Sequence, residues 1–372
     1  MAVRNGEQHL RAAVDSVLAQ TVSDFEFIIV DDGSTDTTRS ILAEYERRDT
    51  RVRVLRNAQP LGPYPSANRG LSEAAGAIIA RQDADDTSPP ERFAIQLDAL
   101  RAKRHTTLVA GAVEVFDSSS PDRRWVLRPP SWQPRLEWEL LFGNAIGAGG
   151  HVMFPRVVDR MPVRFPCRRR YAEDYALWTS LIQRGRVSCP SDIVYRYRQH
   201  SDSITSLRAR EQADDASEIR AEYQRQFIDS RRSRAESDVL ARFWDMSAGR
   251  LQDGDMETVT ARFVTLTATF LAYVDSRYGA SARKALAIQL DAAVRRRLGF
   301  WAFRALRAGD FRGVRDVRAI ARQRQTLASL IAVTAEQCGA AFIRKAFGSF
   351  TGVRQVRSAS PNRPNRIHQP NL

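Results

Sequence analysis

The sequence predicts an α/β protein: a mostly parallel sheet with helices on both faces, followed by a mainly α-helical C-terminal region. Three observations carry that expectation. In the first hundred residues, short β-branched runs alternate with stretches of helical periodicity. Two of those runs end in carboxylates, Asp31-Asp32 and Asp83 to Asp86. From about residue 206 the periodicity is helical throughout, with Ala, Arg and Leu abundant.

The elements follow in order. "GEQHLRAAVDSVLAQT" puts Leu10, Val14, Val17 and Leu18 on one helical face. Phe25 to Val30 read as a buried strand, and Gly33-Ser34-Thr35-Asp36 cap the helix "TTRSILAEYERR". "RVRVLRN" alternates as a strand, "SANRGLSEAAG" is a helix closed by Gly76, and "AIIARQ" is a strand. Pro89 and Pro90 then lead into a helix marked by Phe93, Leu97 and Leu100.

The whole chain sets outer limits. At 372 residues it is long enough for more than one domain. The net charge of +14 is carried by arginine, since Lys103, Lys284 and Lys345 are the only lysines. A basic surface attracts nucleic acid, anionic lipid or phosphorylated substrate, but the nucleic-acid recognition motifs are absent. Cys167, Cys189 and Cys338 lack metal-ligand spacing and read as buried thiols of a reducing compartment. With no signal-peptide core and no apolar run of membrane-spanning length, a cytoplasmic protein is expected.

Asp83, Asp85 and Asp86 are the informative cluster. Like charges this close raise one another's pKa, and a cation carrying a ligand would relieve them. A solvated turn before a helix is the plain alternative. In open α/β sheets ligands bind beyond the carboxyl ends of strands, so both acidic clusters can meet in one crevice. No GxGxxG or GxxxxGK[ST] is present, so a phosphate ligand here would need a metal bridge.

"VRNGEQHLRAAVDSVLAQT", "IIVDDGSTD", "SANRGL" and "IARQDADDTSPPERFAIQLDAL" together resemble the inverting GT-A glycosyltransferases of family 2, over roughly residues 1–205. The resemblance implies the GT-A, Rossmann-like sheet and a nucleoside-diphosphate sugar donor. It implies donor contacts at Val3, Asn5, Asp31, Asp32, Asn68, Arg81 and Asp83, with the nucleotide base near the first Asp pair and the ribose near Asp83. It places Mn2+ or Mg2+ on Asp85 of the D-x-D motif, with His200 as a further ligand or diphosphate contact. A solvated loop is the other reading of His200.

In "RYAEDYALWTSLIQRG", Asp174 shares a helical face with Leu177, Trp178 and Leu181, where partial desolvation would suit a general base. An N-terminal carboxylate favoured by the helix dipole explains it equally well. The resemblance selects Asp174 as base and Glu173 as a supporting group near the acceptor. In "NAIGAGGHVMFPR" the glycines suggest close backbone packing, and His151 reads as structural before it reads as an acceptor contact.

The expected activity is therefore metal-dependent, inverting transfer of one hexose to a saccharide or lipid-linked acceptor, in cell-surface polysaccharide or glycolipid assembly. No Gln-x-x-Arg-Trp motif of processive members is present. The alternative is a non-catalytic protein that binds a nucleotide sugar or an anionic surface. Peripheral contact with the inner face of an anionic membrane is compatible with the arginines. The family's first strand is reduced here to "MAV", which points to a start upstream of Met1. The expected organisation is a transferase domain over 1–205, a helical region over 206–355 and a disordered tail over 356–372. Within the helical region, "FWAFRALRAGDFRGVRDVRAIA" reads as a hairpin turning at Gly309 and Asp310.

Overall fold

The structure is a computed structural model. It describes residues 1–307 apart from 148, 202, 228–233, 246–250 and 252–254. The expected hairpin at Gly309, Cys338 and the expected tail lie outside the described residues.

Strands β1 (Ala2–Val3), β2 (Phe27–Asp31) and β3 (Val52–Arg56) form a parallel sheet with β2 in the centre. Alternation along β2 sets its two faces. Phe27 and Ile29 join Val14 and Val17 of α1 (Leu10–Leu18) and Ile41 and Leu42 of α2 (Thr38–Arg48) in one core. Ile28 and Val30 lie instead against Gly70 of α3 (Pro63–Glu73). That helix ends at Glu73, ahead of the Gly76 suggested by the sequence.

After β4 (Ile78–Ala80) comes the aspartate segment and then α4 (Arg92–Ala102). Next are β5 (Thr106–Val109), the hairpin of β6 (Ala112–Asp117) and β7 (Ser120–Leu127), and α5 (Gln133–Leu140). Strand β8 (Met153–Pro155) inserts antiparallel between β4 and β5. This insertion breaks the parallel ladder of that sheet, and it carries the glycine segment before it into the crevice beyond β4. A small hairpin, β9 (Val157–Val158) and β10 (Met161–Pro162), leads to α6 (Glu173–Arg184). Strand β11 (Arg186–Ser188) runs parallel to β5, and β12 (Ile193–Gln199) parallel to β6.

The remaining described helices are α7 (Ile204–Leu207), α8 (Ala209–Gln224), α9 (Arg234–Trp244), α10 (Asp255–Tyr278) and α11 (Ala280–Arg307). The chain divides into compact units at Met1–Ala292 and Ala293–Leu372. Within the first unit, Trp138 of α5 sits edge-on to Trp244, Phe263 and Phe270, with ring centroids 5.2–5.7 Å away. Helices α9 and α10 are thereby cemented to α5 by aromatic burial.

One side chain ties the aspartate segment to the rest. Arg92, the first residue of α4, is fully buried. Its Nε donates to Gln96 Oε1 (3.0 Å), and Nη1 donates to Gln82 Oε1 (3.0 Å) and Ser88 Oγ (2.9 Å). Nη2 donates to the carbonyls of Arg81 (2.6 Å) and Gly150 (3.0 Å). Burial lowers its pKa to about 10, which leaves it charged at neutral pH. Arg92→Met fills the volume but strands these acceptors, so unfolding should cost about 3–5 kcal/mol less than in wild type. An unfolding free energy from chemical denaturation within about 1 kcal/mol of wild type would refute that role.

Candidate active site

The three carboxylates beyond β4 part company in the fold. Asp83 Oδ1 accepts from Arg81 Nη2 at 2.7 Å, and the Asp83 amide donates to the Tyr195 hydroxyl at 3.0 Å. Asp85 Oδ2 lies 3.2 Å from His200 Nε2. Asp86 is fully buried, and its Oδ1 accepts from the Arg198 amide of β12 at 2.7 Å. Its Oδ2 has no hydrogen-bond partner. Burial, followed by the charges of its two neighbours, pushes the Asp86 carboxyl well above the usual range. Burial and Asp83 likewise raise Asp85. Asp86 is thus a strut to β12, and Asp83 and Asp85 turn to different partners, Arg81 and His200.

Gly150 shows how tightly this crevice closes. A Cβ there would lie 2.0 Å from the Tyr195 hydroxyl and 2.5 Å from Asp83 Oδ2, so only glycine lets the segment before β8 pass. Gly149 next to it faces Arg81 and Asp174.

Asp174, at the start of α6, is half-buried among three other elements. Its Oδ1 accepts from the Tyr175 amide (2.8 Å) and from the Tyr64 hydroxyl of α3 (3.2 Å). Its Oδ2 has the Asn144 amide at 3.4 Å. Burial raises its pKa to about 6, against the opposing effects of these donors and of Arg81. Leu177, Trp178 and Leu181 of the same helix are buried, as the periodicity of the sequence requires. Glu173 is buried and turned elsewhere: it accepts from the Arg169 amide and so fastens the preceding loop.

That loop, residues 163–171, is pinned on both flanks. The Asn68 amide donates to Phe165 O (2.8 Å) and Cys167 Sγ (3.1 Å), and Asn68 Oδ1 accepts from the Phe165 amide (2.9 Å). Asp215 of α8 accepts from the Arg170 and Tyr171 amides, and Glu218 and Glu222 of α8 pair with Arg169. Arg168 and Arg170 remain exposed. Cys167 corrects the expectation of buried thiols: it is exposed on this loop, whereas Cys189 is buried.

The other expected donor residues cluster around the end of β2. Val3 is buried in β1, and the Asn5 side chain accepts from the Thr35 amide at 2.8 Å. Asp31 Oδ1 accepts from the Ser34 amide at 2.9 Å, while its buried Oδ2 has no hydrogen-bond partner and Arg39 Nε at 3.7 Å. Asp32 is spent on structure. Its oxygens accept from the amides of Leu61 and Gly62 and from Asn57 Nδ2, within 2.7–2.8 Å, and its pKa is lowered.

Among the described residues no group of three or more His, Cys, Asp or Glu side chains is placed to enclose a metal ion. Asp85 and His200 form a pair, beside a cleft of about 540 Å3 lined by residues including Gln8, His9, Asp117 and Ser206. His151 is buried next to Tyr195, as the structural reading expected. Sequence reasoning missed Tyr64, Arg92, Asn144 and Tyr195 as site residues. Arg92 lies within the aspartate motif but looked like an ordinary helix-start residue, whereas Tyr64, Asn144 and Tyr195 reach the site from segments distant in the chain.

Asp174 makes a stability prediction that needs no substrate. Its carboxyl titrates near 3.9 when unfolded and near 6 in the fold. The folded state holds the proton more tightly, so stability falls as pH rises through that window. Asp174→Asn removes the penalty. The variant's melting temperature relative to wild type should therefore be higher at pH 7.5 than at pH 4, and an equal difference at both would refute the burial effect.

Comparisons with known proteins bear on the family and the fold. The family model described as "Glycosyl transferase family 2" matches residues 1–161. EpsE of Bacillus subtilis, which carries a glycosyltransferase name, is 30% identical over 207 residues, covering 55% of this chain and 73% of EpsE. UDP-Glc:α-D-GlcNAc-diphosphoundecaprenol β-1,3-glucosyltransferase WfgD of Escherichia coli is 28% identical over 212 residues, 56% of this chain and 78% of WfgD. The crystal structure of S. aureus TarS 1-349 in complex with UDP-GlcNAc matches with a TM-score of 0.50 at 15% identity, covering 87% of this chain and 90% of TarS 1-349. A crevice beyond the strand ends, bounded by separated aspartates and a half-buried carboxylate, thus sits in a chain that belongs to the family 2 glycosyltransferases and has their GT-A fold.

Proposed function

We propose that this protein transfers a single hexosyl group, with inversion, from a nucleoside-diphosphate sugar to a hydroxyl of a saccharide borne on a lipid diphosphate. The observation that carries this reading is Asp174, held at the crevice with a pKa raised to about 6 and within the field of Arg81 and Asp83. A carboxylate of that pKa is ionised at neutral pH yet basic enough to share a proton in a transition state.

In the donor site, Val3, Asn5 and Asp31 meet the nucleotide base, and Asp31 is the member of its pair with an oxygen still unbonded. Asp83 and Arg81 meet the ribose and diphosphate side. Asp32 and Asn68 act through the loops they hold. Asp85 and His200 would hold Mn2+ or Mg2+. The donor set suits either ion, and a cation there would lower the Asp85 pKa that burial and Asp83 raise, which supports this reading. When bound, the ion offsets charge on the leaving diphosphate.

The acceptor hydroxyl gives its proton to Asp174 as its oxygen bonds to the anomeric carbon. The bond from that carbon to the diphosphate oxygen breaks, and its electron pair leaves with the nucleoside diphosphate. One displacement from the opposite face inverts the centre. Exposed Arg168 and Arg170, on a loop fixed beside Asp174, favour an acceptor that carries phosphate. WfgD, by its name, uses a diphosphoundecaprenol-linked sugar. Such an acceptor places the protein at the inner membrane face, in cell-surface polysaccharide or glycolipid assembly. No described helix is long and apolar enough to cross a membrane, and the net charge of +14 suits peripheral attachment.

A panel of UDP, GDP, dTDP and CDP sugars, with and without Mn2+, tests the donor class by calorimetry. Asp85→Ala should abolish the metal-dependent binding while the fold persists. Asp174→Asn should keep donor affinity and lose roughly 10²–10⁴-fold in turnover, and near-normal turnover would remove Asp174 as the base. Arg168→Ala with Arg170→Ala should raise KM for a GlcNAc-diphosphate-alkyl acceptor by roughly 3–10-fold with kcat unchanged. An unaltered KM would exclude those arginines.

A further inference from the structure

The structure assigns Tyr64 as the residue that positions Asp174 by fixing its Oδ1, so that Oδ2 is the oxygen that takes the acceptor's proton. This rests on Asp174 being the base, and it goes beyond that reading by naming the atom and the group that selects it.

The two carboxylate oxygens differ sharply. Oδ1 accepts from the Tyr175 amide at 2.8 Å and from the Tyr64 hydroxyl at 3.2 Å. Oδ2 has one long contact, Asn144 Nδ2 at 3.4 Å. Oδ2 also faces the space left open by Gly149: a Cβ there would sit 3.6 Å from it and 3.1 Å from Arg81 Nη1. On this assignment, a side chain at position 149 would crowd the space beside Oδ2. Oδ1 carries two hydrogen bonds, and Oδ2 carries a single long one.

The Tyr64 hydroxyl faces two acceptors at equal distance, Asp174 Oδ1 and the Tyr171 carbonyl, both 3.2 Å away. A phenol has one proton to donate. Burial, then the charge of Asp174, holds the Tyr64 phenol well above its ordinary pKa, so it acts as a donor throughout. An ionised carboxylate is the stronger acceptor, so the proton points to Oδ1 before transfer. Once Oδ2 is protonated, Oδ1 weakens as an acceptor and the Tyr171 carbonyl competes for the same proton. Tyr64 therefore favours the charged form of the base and lets go of the neutral form. The other groups facing Asp174 are Arg81, which also favours the charged form, and Asp83, which opposes it.

The test is the pH profile of kcat/KM for Tyr64→Phe, with GlcNAc-diphosphate-alkyl as acceptor and the donor found by calorimetry. Removing a donor to the charged form should move the acid limb upward by about one pH unit. Near pH 6 the rate should then fall roughly five-fold, while at pH 8.5 it stays near wild type. Donor affinity should not change. An acid limb that stays in place in a folded Tyr64→Phe protein would overturn the assignment. If the Phe variant does not fold, 3,5-difluorotyrosine at position 64 keeps the ring and donates more strongly, so the limb should move down; an unmoved limb there has the same force. Gly149→Ala should raise the acceptor KM and leave donor affinity intact, whereas an unchanged acceptor KM would place the hydroxyl elsewhere and overturn Oδ2 as the working oxygen. Failure of the base reading is distinguishable, because it appears as near-normal turnover in Asp174→Asn.

Discussion

A single buried cation, Arg92, sets the geometry on which the crevice depends. Among the described residues no carboxylate pairs with it. Its guanidinium is instead enclosed by amide, hydroxyl and carbonyl oxygens drawn from α4, from the aspartate segment and from the glycine segment before β8. The planar fork suits this task because it offers donors in fixed directions, which an ammonium cannot. Desolvating the charge is costly, and it is offset only while every oxygen stays in place. The arrangement is therefore all-or-none: the backbone at Arg81 and at Gly150 cannot drift without stranding a donor. Asp83 and Asp174 inherit that rigidity, one directly and one through the glycines.

Much of this was legible in the sequence, for physical reasons that can be named. The alternation of β-branched runs with 3.6-residue periodicity gave β2, α2, β3 and α4 because each element buries one face against its neighbours. Asp85, Asp83 and Asp174 stood out because carboxylates at strand and helix ends are conspicuous in the chain. Asp86 was visible as part of the triplet, but its burial was not. The amide it serves belongs to Arg198, 112 residues away. Tyr64 and Asn144 were invisible for the same reason: a single hydroxyl or amide reaching across the fold leaves no periodic trace. Glu173 was seen in the right place and given the wrong neighbours, because adjacent residues of a helix start point about 100° apart.

The two carboxylates differ in how fully the fold compensates them. Asp32, fully hydrogen-bonded to a loop, is held ionised and contributes order. Asp174, poorly compensated at one oxygen, is held closer to neutrality. The fold supports the second carboxylate at a cost in stability, the relation expected of the base that we propose.

The acidic face of α8 has a consequence for how such proteins diversify. Asp215, Glu218 and Glu222 hold the loop that carries Arg168 and Arg170, and none of them touches the aspartates beyond β4. Changes along α8 can tilt or release that loop while the donor crevice stays as it is. If that loop meets the acceptor as we propose, divergence in the helical region supplies a route to new acceptors that leaves the donor crevice unchanged.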